Sequence, residues 1–130
     1  MGASVTLARR VQWIDTDAAG IWHYSTVIRW AEEAETELHR DLGIMDQTFG
    51  VTPRVRVEFD FHAAVRFDDP VAVSIEVARV GTSSIEYRVA VHKDGEPVAT
   101  GRVVTVLIDP QSGRARDLPD GLRAALSREP

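Results

Sequence analysis

The 130-residue chain contains no cysteine. That excludes a disulfide framework, a thiolate metal site and a cysteine nucleophile. No apolar run approaches the ~18 residues a membrane span needs, so no membrane partner is expected. Arg9 and Arg10 follow the first apolar positions and no long apolar stretch precedes them, unlike a secretory signal. The expected location is therefore the cytoplasm. Positive charge is scarce as well: 15 Lys/Arg against 20 Asp/Glu leave a net charge of −5. Nucleic acid is a poor partner for such a chain, whereas an anionic small ligand needs only a local basic patch. Lysine is nearly missing, with Lys93 alone among arginines, the better residue for planar recognition of phosphate or carboxylate. His23, His39, His62 and His92 show neither HxxxH nor HExxH spacing, which removes a zinc site. No serine sits in a G-x-S-x-G elbow, and no glycine-rich phosphate loop is present. Neither a metal nor an organic cofactor is expected.

What is present reads as one globular domain over residues 1–130, with 44% hydrophobic and 27% charged residues. Residues 5–13 alternate, placing Val5, Leu7, Val11 and Trp13 on one strand face. A helix is predicted over residues 25–42, with Ser25 as N-cap and Gly43 as its stop. Its apolar stripe runs Val27, Ala31, Ala34, Leu38, widened by Ile28 and Trp30. From residue 54 the period changes to two. Val55, Val57, Phe59 and Phe61 form one strand face, Val71 to Val77 a second, and Ile85 to Val91 a third. Asp94-Gly95 predicts a tight hairpin. A last strand over about 97–109 is continuously apolar at Val103–Ile108, which predicts burial on both faces. The core thus spans about residues 5–109, and a short helix over 119–127 closes the chain. One strand, one apolar-striped helix and four more strands pack economically if the sheet curls around the helix, an α+β arrangement.

The informative stretch is the connection from residue 13 to residue 24, Trp-Ile-Asp-Thr-Asp-Ala-Ala-Gly-Ile-Trp-His-Tyr. It joins a strand to a helix start, where backbone N–H groups lack partners and the helix dipole is positive. A carboxylate held there, Asp15 or Asp17, faces a site able to polarise a carbonyl oxygen, the ingredients of acyl transfer or hydrolysis. The same spacing imitates the front of a calcium loop, but Ala19 and Thr26 stand where ligands are required. Gly20 suits a turn with positive φ.

Asp15-Thr16-Asp17-Ala18-Ala19-Gly20-Ile21, followed by aromatics and by Arg29-Trp30-Ala31-Glu32-Glu33-Ala34, resembles the hotdog-fold acyl-CoA thioesterases of the 4-hydroxybenzoyl-CoA thioesterase type. Phe61-x-x-Ala64-Val65-Arg66-Phe67-Asp68-Asp69 and Gly81-Thr82-Ser83-Ser84 are similar to later pieces of that family. The resemblance implies a hotdog fold, a five-stranded antiparallel sheet wrapped around one long helix, assembled as a homodimer or homotetramer. It implies hydrolysis of an acyl-CoA or aroyl-CoA thioester, with Asp17 as nucleophile or general base. The backbone N–H of Tyr24 would stabilise the oxyanion, and Asp15 would orient the loop. Gly20, Trp22, His23, Ala63 and Val65 would meet the substrate, together with Glu32 or Glu33 from the helix. Relatives often carry Tyr-His where this chain has His23-Tyr24, and proline where it has Ala64. Arg66, Arg88, Arg102, Arg114 and Arg116 are the candidates for contacts to CoA phosphates.

Two other readings follow from the same residues. Asp17 with His23 imitates the acid–histidine pair of an enoyl-thioester hydratase or dehydratase on this fold. A dimeric scaffold that binds an acyl ligand without turnover is the other.

Overall fold

The computed structural model describes residues 2–129. Strand β1 (Ser4–Arg10) is followed by helix α1 (Thr26–Leu42), a single helical turn α2 (Met45–Thr48), and strands β2 (Arg54–Phe61), β3 (Pro70–Val80), β4 (Ser84–Lys93) and β5 (Glu96–Val106). A short helix α3 (Asp120–Leu126) follows. The strands form one sheet in the order β1-β3-β4-β5-β2, every neighbour antiparallel. Alternation dictates its faces. Ile75 and Val77 of β3, Ile85, Tyr87, Val89 and Val91 of β4, and Ala99 and Val103 of β5 are buried on one side. Val27, Trp30, Ala31, Ala34 and Leu38 of α1 are buried with them. Each of the larger of these side chains, valine upward, contributes about 1.5–3 kcal/mol on leaving water, so helix and sheet hold one another. Among the described residues no helix is long and apolar enough to cross a membrane.

Three local expectations change. β1 stops at Arg10, and Trp13 begins a 3-10 turn with its ring 77% exposed, because the chain leaves the sheet after Val11. Ser25 adopts helical angles and makes no cap bond; its hydroxyl instead meets His23 Nδ1 at 2.7 Å. The end of β5 is buried on one face only: Val103 and Thr105 are buried, while Val104 and Val106 are half-buried on the uncovered side. The other end of α1 is as expected, with Gly43 left-handed at φ 71° and its N–H on the Arg40 carbonyl. Asp94 and Gly95 both take positive φ between paired Lys93 and Glu96, the geometry of a type I′ hairpin.

His39 in the last turn of α1 does not face solvent. It is fully buried, with Nδ1 2.6 Å from Thr48 Oγ1 and Nε2 2.7 Å from the Tyr87 hydroxyl. These bonds tie α1 to α2 and to the centre of the sheet. Burial, and next the charge of Arg54, push its pKa down from 6.5 to about 4.

At the far edge, Val57 and Phe61 of β2 stand opposite Val103 and Ala99, residues of the buried face, yet are 40% and 48% exposed. The helix packs chiefly against β3 and β1, leaving this edge uncovered.

Candidate active site

Asp15 organises the connection between β1 and α1. Its side chain is fully buried at the end of the 3-10 turn, and Oδ2 accepts the Gln12 N–H at 2.7 Å. Arg29 of α1 reaches Oδ1 at 2.9 Å, and Arg9 of β1 stands 3.7 Å away. The Asp15 carbonyl accepts the His23 N–H at 2.7 Å and the Thr26 hydroxyl at 2.8 Å. One residue therefore fastens strand, turn and helix start together.

Two residues on, the chain makes a tight reversal. Gly20 donates its N–H to the Asp17 carbonyl at 3.0 Å, and Asp17 donates to the Ile21 carbonyl at 2.9 Å. Gly20 sits at φ 82°, which a side chain would strain. Asp17 is exposed; its Oδ1 accepts the Ala19 N–H at 2.8 Å, and no cation pairs with it among the described residues. After the reversal Trp22 donates to the Val65 carbonyl at 2.9 Å, returning the chain to the body before α1 begins. The Tyr24 N–H meets no acceptor among the described residues, while the N–H groups on either side of it are taken.

Asp17 and Tyr24 line one cavity of about 450 Å³. Ile21 and Trp22 form one wall, and Phe61, Ala63 and Ala64 another, with His62 among them. Trp22 meets Phe61 edge-on at 5.8 Å and Trp30 at 5.3 Å, so the wall is braced by the core. The arrangement offers an unpaired carboxylate, an unclaimed amide donor and an apolar surface in one place.

The remaining expected site residues are placed elsewhere. Val65 is fully buried, and only its carbonyl reaches the loop. The His23 ring turns back on Ser25, accepting the Ser25 N–H at 3.1 Å, and stacks on Tyr24 at 4.4 Å. Glu33 pairs with Arg9, and Glu32 lies 3.8 Å from Arg54 beside a different surface cavity. Glu35 next to it is buried and hydrogen-bonded to Arg54; burial raises its pKa. Sequence reasoning missed Ile21, Phe61, His62 and Ala64. Alternation predicts His62 facing out, and it is exposed, its Nε2 2.9 Å from the hydroxyl of Thr100, the ladder partner of Asp60. The His62 and Ala63 N–H groups both reach the Val98 carbonyl, at 2.8 and 3.2 Å, and His62 also borders the cavity.

Comparison with known proteins agrees with the fold. The profile described as the thioesterase-like superfamily matches residues 11–126. A 1,4-dihydroxy-2-naphthoyl-CoA hydrolase of Prochlorococcus marinus is 33% identical over 128 residues, covering 89% of this chain and 83% of the relative. Among solved structures, a predicted thioesterase from Bacillus stearothermophilus superposes with a TM-score of 0.86 at 27% identity, covering 95% of this chain and 94% of its own. A gentisyl-coenzyme A thioesterase superposes with a TM-score of 0.82 at 26% identity, covering 95% of this chain and all (100%) of its own. The five-stranded antiparallel sheet with its long helix is the hotdog arrangement these neighbours share, and the chain belongs to the thioesterase-like superfamily.

Proposed function

We propose that this protein hydrolyses an acyl-CoA or aroyl-CoA thioester to the free acid and CoA, with Asp17 at the centre of the reaction. The observation that carries this reading is the Asp17 carboxylate, without a cation partner among the described residues, sharing a cavity with Tyr24, whose N–H meets no acceptor among them. Two routes are open to the carboxylate. As nucleophile it adds to the thioester carbonyl; the C–S bond breaks, CoA leaves as thiolate, and water then cleaves the mixed anhydride and restores the carboxylate. As general base it takes a proton from a water that adds to the same carbon, and that proton ends on the departing thiolate. In both, negative charge grows on the carbonyl oxygen, which the Tyr24 N–H and the positive end of α1 would stabilise. Trp22, Phe61, Ala63 and Ala64 supply an apolar, partly aromatic wall for the acyl group. The named relatives act on aromatic CoA esters, which supports including aroyl groups.

The functional unit in this reading is a homodimer joined at β2. A strand edge with open N–H and C=O groups and exposed Val55, Val57 and Phe61 is a template for pairing with a second copy of itself. The absence of cysteine suits a reducing compartment such as the cytoplasm.

A thiol-release screen over aliphatic and aromatic CoA esters tests the activity; absence of turnover across the panel would overturn it. The hydratase alternative has one observation in its favour: a histidine, His62, borders the same cavity as Asp17. Crotonyl-CoA hydration without thiol release would select it.

A further inference from the structure

The first turn of α1 is held by a side chain that precedes it. Ser25 makes no cap bond of its own. Its N–H is instead donated to Nδ1 of His23 at 3.1 Å, and its hydroxyl lies 2.7 Å from the same nitrogen. A side-chain acceptor that takes the N–H two residues on is the geometry of an Asx turn, here with an imidazole nitrogen where asparagine would offer its carboxamide oxygen. Only a ring nitrogen without a proton can accept an N–H, so His23 is the tautomer protonated at Nε2, and the Ser25 hydroxyl donates to Nδ1 as well. The Tyr24 ring stacks on the imidazole at 4.4 Å and restrains it.

Tyr24 is the middle residue of this turn, and His23 fixes the peptide units on both sides of it. The His23 N–H goes to the Asp15 carbonyl at 2.7 Å, and the His23 carbonyl accepts the Thr26 N–H at 2.9 Å. That carbonyl and the Tyr24 N–H belong to one planar trans peptide and point in opposite directions, so holding one aims the other. The ring bond to Ser25 fixes the next peptide unit. Three consecutive N–H groups are thereby divided: those of His23 and Ser25 are taken within the loop, and that of Tyr24 meets no acceptor among the described residues. An oxyanion donor is effective when it is already oriented and does not have to turn during the reaction.

We propose that His23 is a positioning residue: its unprotonated Nδ1, by capping Ser25, holds the Tyr24 amide in place for the thioester carbonyl, a role that rests on the thioesterase reading. The imidazole acts through the turn and does not itself touch the reacting atoms.

The test compares thiol-release kinetics and Ser25 amide exchange, read by NMR, in the unaltered protein, His23→Ala, His23→Asn and His23→Gln. His23→Ala should lower kcat about tenfold with KM unchanged, less than the ~100-fold that removal of such a donor costs. His23→Asn puts an acceptor where Nδ1 stood and should restore most of kcat, whereas the longer His23→Gln should not. Ser25 exchange should quicken in His23→Ala and His23→Gln and stay slow in His23→Asn. Nitrogen NMR of the His23 ring in mildly alkaline buffer should show Nδ1 without a proton. Full kcat in His23→Ala, an equal loss in His23→Asn, a rise in KM in place of the fall in kcat, or a proton on Nδ1 would each overturn the role. No thiol release from the unaltered protein would reject the thioesterase reading instead, and the exchange pattern would still decide whether His23 holds the turn.

Discussion

Acidification should destabilise this protein through His39 before the bulk of its carboxylates titrate. His39 is fully buried between Thr48 and Tyr87, with Arg54 and Glu35 the charged groups that bear on the cluster. Burial first, and the Arg54 charge second, hold its pKa near 4 instead of 6.5. A lowered pKa in the folded state means that the unfolded chain binds more protons between these values, so stability falls as pH drops through that window. From pH 7.5 to pH 4.5 the loss attributable to this one group is about 2.5 kcal/mol, a large share of a typical 5–15 kcal/mol total. Glu35 acts in the opposite sense: its raised pKa adds stability at low pH that is lost as pH rises, opposing part of the His39 slope. The assay is urea unfolding at half-unit pH steps, comparing the protein with His39→Asn. The variant will be less stable everywhere, so its slope is the readout, and it should be flatter by most of that 2.5 kcal/mol across the window. Parallel slopes for the two proteins would refute the argument.

Three further outcomes are expected. Asp17→Asn keeps the acceptor for the Ala19 N–H, so the fold should survive while thiol release drops by about 100-fold or more; steady-state rates equal to those of the unaltered protein would clear Asp17 of any role. Gly101→Ala places a Cβ 2.0 Å from the Glu58 carbonyl oxygen and 2.4 Å from Phe59 Cδ1, across the β5–β2 ladder. It should cost about 2 kcal/mol or more in denaturant unfolding, and an unchanged midpoint at equal m-value would contradict the register. Val57→Asp puts a charge on the open edge and should shift the species seen by sedimentation velocity from dimer to monomer; a dimer of undiminished affinity would place the interface elsewhere.

Much of the fold was legible because burial in this chain follows simple periods. The four-three-four stripe of α1 and the alternation of β3 and β4 each have one covered face, and that face fixes the phase. β5 was misread because Val104 and Val106 are apolar without being covered by a second layer. Phe61 was legible as a strand residue but not as a cavity wall, since which end of an edge strand meets the helix start depends on tertiary placement. His62 was legible as an outward-facing residue, but its place at the cavity rim depends on the same tertiary placement.

The two acids of the loop show how burial separates residues that spacing cannot. Asp15 and Asp17 are two apart, and in an extended segment they would share a face. The 3-10 turn ends at Asp15, so the chain changes direction between them. A fully buried carboxylate is tolerable only with strong partners, and Asp15 has Arg29, Arg9 and a backbone N–H. Those partners lie on α1, β1 and the turn itself, so neutralising this charge also fixes the helix start against the strand. Thr26 and His23 complete the clamp through the Asp15 carbonyl, and Tyr24 follows directly with its N–H left over. Asp17, beyond the clamp, keeps one oxygen free and borders the same cavity as Tyr24. The inner acid takes up the nearby cations of β1 and α1, and the outer one is left without a counter-ion among the described residues, at the cavity it shares with Tyr24.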